Sequence, residues 1–165
     1  MKGTGIRRAK MASSSTEKLP HVLAVDDSSV DRNIIQQLLL TNSACRVTTA
    51  ENGEKALEFL GLAHGQDSCT CNSDLEVNLV ITDYSMPGMT GYELLKKMKE
   101  SPTMKNIPVV ILSSENNPRR IELCKKEGAN GFYKKPLTLT DIDQLVSSVK
   151  GLSYPSKKKH IIARE

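Results

Sequence analysis

The 165-residue chain has room for one domain with a packed core, plus tails. Its 38% hydrophobic and 25% charged residues are ordinary for a soluble globular protein. No apolar run approaches the ~20 residues of a membrane helix, and the amino terminus lacks the apolar core of a secretion signal, so a nuclear or cytoplasmic protein is expected. The net charge of +4 sits in the tails: residues 1–20 and 151–165 together hold nine Lys/Arg against two acids, whereas residues 21–150 hold fourteen against seventeen. A weakly acidic central region argues against a nucleic-acid surface and against direct DNA binding.

Residues 1–20 show no periodicity and read as a disordered tail, the first ten as an upstream extension before Met11. His21–Val25 is a first strand ending in Asp26-Asp27. Ser28 or Ser29 can cap the helix that follows, with Asp31 in its first turn. Ile34, Ile35, Leu38 and Leu39 recur at helical spacing. Cys45–Ala50 is a β-branched second strand, and Glu51-Asn52-Gly53 punctuates it before a helix with Ala56, Leu57, Phe59 and Leu60 on its apolar face. Residues 61–77 are polar and long for a connection in a compact domain, and read as a surface insertion. They contain Cys69 and Cys71, whose spacing is too tight for a usual zinc knuckle; with Cys45 and Cys124 they are expected to be reduced thiols.

A third strand opens at Asn78, and its apolar run Leu79–Ile81 ends abruptly in Thr82-Asp83. A loop with Pro87 and Gly88 leads to Thr90-Gly-Tyr-Glu93, a capping-box pattern that starts a helix running to Glu100, with Leu94, Leu95 and Met98 inward. Ile107–Leu112 is the fourth strand, ending in Ser113. Asn117-Pro118 places an N-cap before proline at the first helical position, with Ile121, Leu123 and Cys124 following. Gly131–Lys134 is the fifth strand, ending in Lys135-Pro136. Thr140–Asp143 opens a last helix with Ile142, Leu145, Val146 and Val149 facing in. The tail 151–165 includes Lys157-Lys158-Lys159-His160, a solvated basic run or a weak nuclear-import patch.

Five short strands alternating with five helices predict a single α/β domain over residues 21–150: a doubly wound five-stranded parallel sheet of the flavodoxin-like (βα)5 kind. Such a sheet points all its strand ends one way, and ligands collect there. Asp26 and Asp27 after the first strand, Asp83 after the third, Ser113 after the fourth and Lys135 after the fifth therefore converge. Each alone has a plainer reading, as a helix cap, a turn residue or a surface lysine. Together they suggest chemistry. Three clustered carboxylates call for a cation, and hard oxygen donors with open water positions suit Mg²⁺. A cation of that kind neutralises an incoming phosphoryl group so that a carboxylate can attack phosphorus and give an aspartyl phosphate. A lysine and a hydroxyl supply counter-charge and a hydrogen bond.

Over about residues 21–150 the chain resembles the receiver domain of two-component response regulators. The resemblance rests on Val25-Asp26-Asp27, the Asp83-Tyr-Ser-Met-Pro-Gly-Met run, Leu112-Ser113-Ser114, and Gly128 through Lys135-Pro136. It implies that Asp83 is the phosphoacceptor. It implies further that Asp27, Asp83 and the Ser85 carbonyl ligate Mg²⁺, with Asp26 acting through water, that Lys135 contacts the phosphoryl group, and that the Lys135–Pro136 bond is cis. Ser113 and Phe132 would form the switch, moving the face made by the fourth helix, fifth strand and fifth helix, where downstream signalling proteins would bind. Phe132 stands where many members have Tyr, so a hydroxyl is missing there. At finer grain the chain is similar to plant type-A response regulators, through Leu23–Ser28, Ile81–Leu95, the insertion and the short tail. That implies phosphate from histidine phosphotransfer proteins, damping of cytokinin responses, indirect effects on transcription and no enzyme activity.

Other readings explain less. A haloacid-dehalogenase-like phosphatase would want an acid where Ser85 stands. A flavodoxin-like cofactor carrier would find Asp26-Asp27 repelling its phosphate, and a dinucleotide fold lacks its glycine fingerprint. A degenerate receiver, kept as a phosphorylation-independent interaction module, would be expected to lack the acceptor or the lysine.

Overall fold

A computed structural model of the protein describes residues 18–63 and 75–149. The elements are β1 (His21–Val25), α1 (Ser29–Asn42), β2 (Arg46–Ala50), α2 (Gly53–Ala63), β3 (Leu79–Asp83), α3 (Gly91–Glu100), β4 (Val109–Ser113), α4 (Pro118–Lys126), β5 (Gly131–Lys134) and α5 (Leu139–Ser148). All strand pairs are parallel, in the order β2-β1-β3-β4-β5. This is the expected doubly wound α/β fold, with its order reversal beside β1.

The three central strands are buried along their whole length, which is why they read as unbroken apolar runs rather than alternating ones. Alternation survives as a choice of face. Val22, Ala24, Leu79, Ile81, Val110 and Leu112 pack under α1 and α5, against Ile35, Leu39, Ile142 and Leu145. Leu23, Val25, Val80, Val109 and Ile111 pack under α2, α3 and α4, against Leu60, Leu94, Leu95, Met98 and Cys124. The edge strands β2 and β5 are only partly covered, and their exposed positions are Thr49 and Lys134.

Caps fix where the helices begin. Ser28, not Ser29, caps α1, accepting from the Asp31 amide at 3.3 Å. Thr90 and Glu93 form the expected box on α3, at 3.2 and 2.8 Å. Thr90→Ala is expected to cost about 1 kcal/mol of stability, to be checked by urea unfolding; an unchanged midpoint would remove the cap from the account. Asn117 caps α4 with proline at the first position, as expected.

Several details differ from the sequence reading. The last helix begins at Leu139 with Thr138 as its cap, because Thr138-Leu-Thr-Asp141 closes a capping box one residue pair earlier than Thr140–Asp143 would. The buried Leu137 and Ile142 share one core cluster and staple that start. Ile34 and Leu123 have helical spacing but are 41% and 47% exposed, because each sits at the margin of its helix's inward face. Strand β4 starts at Val109 rather than Ile107, and β2 at Arg46 rather than Cys45. Of the segment taken as an insertion, residues 61–63 continue α2 and Val77 is buried against the core; residues 64–74, with Cys69 and Cys71, lie outside the described residues, as do the tails 1–17 and 150–165. Cys45 and Cys124 are free and buried. Among the described residues no helix is long and apolar enough to cross a membrane.

Candidate functional site

The parallel sheet brings the carboxyl ends of β1, β3, β4 and β5 to one edge. Asp83 is the last residue of β3 and 5% exposed, and Asp26, just past β1, is fully buried; Asp27 beside it faces solvent. One oxygen from each of these three carboxylates lies within 4.8 Å of the others. Lys135, just past β5, places Nζ 2.6 Å from Asp26 Oδ2, 3.0 Å from Asp31 Oδ2 and 3.2 Å from Asp83 Oδ1.

Backbone bonds hold these groups where the strands end. The Asp26 amide donates to the Ala50 carbonyl at 3.1 Å, extending the β1–β2 ladder by one residue. The Lys135 amide donates to the Ser113 carbonyl at 2.8 Å, extending the β4–β5 ladder in the same way. The next bond, Lys135–Pro136, is cis, as expected. Asp26 is fixed further by the Ser28 amide, which donates to Oδ1 at 2.9 Å, and by Arg32, whose Nη1 donates to its carbonyl at 2.7 Å. The Tyr84 amide bonds Leu112 O at 2.7 Å, and Gly91 comes back against Asp83 so closely that its amide reaches Tyr84 O at 2.8 Å. At the turn between them Gly88 has φ +79°, a conformation that costs glycine nothing.

Burial pushes the Asp83 carboxyl up to about 6, and the negative charge of Asp26 acts in the same direction. Lys135 and the Ser85 amide, which donates to the carboxylate, offset part of this. Asp83 is thus mostly ionised at pH 7, yet poorly solvated and short of positive charge. Burial pulls the Lys135 ammonium down, but its bonds to Asp26 and Asp31 and the charge of Asp83 more than compensate, so its pKa lies above the usual lysine range. Lys135 stays charged at any physiological pH. Three oxygen donors, one of them open to solvent, fit a hard dication that keeps some of its water.

The other expected residues lie close by. Ser113 ends β4, is 2% exposed, and its hydroxyl accepts from the Glu115 amide at 3.2 Å. Phe132 is half-buried and packs on the α2–α4 side of the sheet. Ser85 is exposed. Two features were not anticipated. Asp31 read as a first-turn acid of α1 and is in fact a partner of Lys135, a pairing between residues 104 apart that no local pattern signalled. Arg120 of α4 lies over the Tyr84 ring at 4.7 Å and pairs with Glu115 at 3.6 Å, tying α4 to the residue after Asp83.

The response regulator receiver domain matches residues 22–147 of the chain. Two-component response regulator ARR17 of Arabidopsis thaliana is 54% identical over 144 residues, covering 87% of this chain and 93% of that protein. Two-component response regulator ARR15 of the same plant is 56% identical over 137 residues, 83% of this chain and 65% of its own length. Among solved structures, the chemotaxis protein CheY4 of Vibrio cholerae is 28% identical with a TM-score of 0.64, covering 79% of this chain and 98% of that one. The phosphorylated cyanobacterial phytochrome response regulator RcpA is 26% identical with a TM-score of 0.64, covering 84% and 99%. An acidic strand-end cluster faced by one lysine, on this fold and with these relatives, places the chain in the response regulator receiver family.

Proposed function

We propose that Asp83 accepts a phosphoryl group from a histidine phosphotransfer protein, and that the chain acts as a type-A-like regulator damping cytokinin signalling. The observation that carries this reading is the approach of Lys135 Nζ to 3.2 Å from a buried Asp83 with Asp26 and Asp27 alongside. In the transfer, an Asp83 carboxylate oxygen attacks phosphorus, the donor's N–P bond breaks, and the imidazole leaves with the electron pair. The product is an acyl phosphate on Asp83. Asp26, Asp27, Asp83 and the Ser85 carbonyl would hold Mg²⁺, which when bound supplies positive charge to the transferring phosphoryl oxygens. Lys135 supplies a second, fixed positive charge and needs no proton exchange to do so.

The response would run through Ser113 and Phe132. A phosphoryl group at Asp83 would give the Ser113 O–H a charged acceptor, in addition to the bond its oxygen accepts from the Glu115 amide. Movement there frees space beside β4 for Phe132, and the α4–β5–α5 face changes shape for downstream signalling partners. Effects on transcription would be indirect, through competition for phosphate or through partner contacts in the nucleus or cytoplasm.

The test is transfer of labelled phosphate from a phosphorylated histidine phosphotransfer protein to wild type and Asp83→Asn, with and without Mg²⁺. Expected is an acid-stable, alkali-labile label on wild type only, and only with Mg²⁺. Wild type that stays unlabelled while another receiver accepts phosphate from the same donor would instead mark a phosphorylation-independent interaction module.

A further inference from the structure

An ammonium has three N–H donors; Lys135 Nζ is hydrogen-bonded to Asp26 at 2.6 Å and to Asp31 at 3.0 Å, and pairs with Asp83 Oδ1 at 3.2 Å. Asp26 and Asp83 belong to the acidic cluster at the strand ends. Asp31 does not. It comes from the first turn of α1, is 39% exposed and borders a 260 Å³ cleft that it shares with Ile34, Lys135 and Pro136. Lys135 does not depend on it for its position, since its amide is bonded to Ser113 and its Nζ to the fully buried Asp26.

Building on the phosphoacceptor reading, we infer that Asp31 is a positioning residue that competes with the phosphoryl group for Lys135 and so limits how tightly the phosphorylated state is held. A phosphoryl group on Asp83 requires an N–H from Lys135. Asp31 occupies one of the three donors, partly neutralises the ammonium, and adds its own negative charge beside the incoming one. All three effects have the same sign. Because Asp31 is half-exposed and opens onto the cleft, it can leave Lys135 without being stranded in a dry interior, so it is a weak competitor that tunes binding rather than a block that prevents it.

The inference is tested with beryllofluoride, a tetrahedral phosphoryl mimic, titrated into the whole chain at saturating Mg²⁺ and followed by ¹⁹F NMR. Asp31→Asn, which keeps the shape and removes the charge, is expected to bind beryllofluoride about fivefold more tightly than wild type. Asp31→Glu, which keeps a carboxylate within reach of Lys135, is expected to stay within about twofold of wild type. Equal or weaker binding by Asp31→Asn, or an equal gain by Asp31→Glu, overturns the competition. Absence of any Mg²⁺-dependent binding by wild type overturns the phosphoacceptor reading itself, and the competition with it.

Discussion

Gly91→Ala is expected to destabilise the protein by about 3 kcal/mol or more and to displace Asp83. A Cβ built on Gly91 lies 2.2 Å from the Asp83 carbonyl oxygen and 3.0 Å from Tyr84 Cα, and both are backbone atoms. No side-chain rotation relieves such a contact; the first turn of α3 has to move away from the end of β3. The Gly91 amide of that turn also donates to the Tyr84 carbonyl, so the shift strains the loop that aims the Asp83 carboxylate. Urea unfolding measures the cost, and amide chemical shifts of residues 83–91 show whether the damage is local. A variant as stable as wild type, with unmoved shifts in that loop, would mean that the close approach is not maintained in solution.

The second large effect has the opposite sign. Asp83→Asn is expected to stabilise the metal-free protein at pH 7 by about 2 kcal/mol, although it removes the proposed acceptor. The Asp83 carboxyl is raised to about 6 from its ordinary 3.8. The folded state therefore binds this proton more tightly than the unfolded chain does. Folding is favoured while Asp83 is protonated, at low pH, and loses stability as pH rises between about 4 and 6. Above that window the full cost of the buried anion is present, about 3 kcal/mol from the size of the shift. Asparagine cannot ionise and avoids that cost, but its amide N–H groups need partners, which reduces the gain. Paired denaturation of wild type and variant in chelator at pH 4 and pH 7 checks this: the difference should be near zero at pH 4 and open on raising the pH. A variant no more stable than wild type at pH 7 would show that the anion is already well compensated by Lys135. The proposed acceptor thus destabilises the resting fold, as expected of a group kept for reactivity rather than for packing.

The strand ends were legible in the sequence because a parallel sheet covered on both faces leaves uninterrupted apolar runs that stop where the polar site begins. Val25-Asp26, Ile81-Thr82-Asp83 and Leu112-Ser113 show that boundary, whereas β5 is a partly covered edge strand that ends in the exposed Lys134. The convergence of the strand ends followed from topology, since parallel strands put those boundaries on one side, whereas the role of each residue came from the family resemblance. What local patterns could not decide was a choice between overlapping signals. Thr138–Asp141 and Thr140–Asp143 both have cap spacing, and the helix takes the first, with Leu137 and Ile142 in one core cluster on either side of it. Ile34 and Leu123 have the spacing of inward residues, but periodicity does not say how wide a helix's covered stripe is. Asp31 illustrates a different gap. Its role as a first-turn acid satisfied every local rule, while its bond to Lys135 joins residues 104 apart in the chain. Nothing within one helix turn encodes that meeting, nor the seating of Arg120 over Tyr84.

The two margins of the sheet have a consequence for solubility. A five-stranded parallel sheet leaves two rows of backbone donors and acceptors without a strand partner, along β2 and β5, and such rows invite a strand from another molecule. Here each row is short, five residues in β2 and four in β5. Arg46 opens one and Lys134 closes the other, so an approaching identical strand would meet like charge. The fully buried apolar strands β1, β3 and β4 are all interior. Among the described residues, strand addition is therefore discouraged at the two margins where the sheet is open to it.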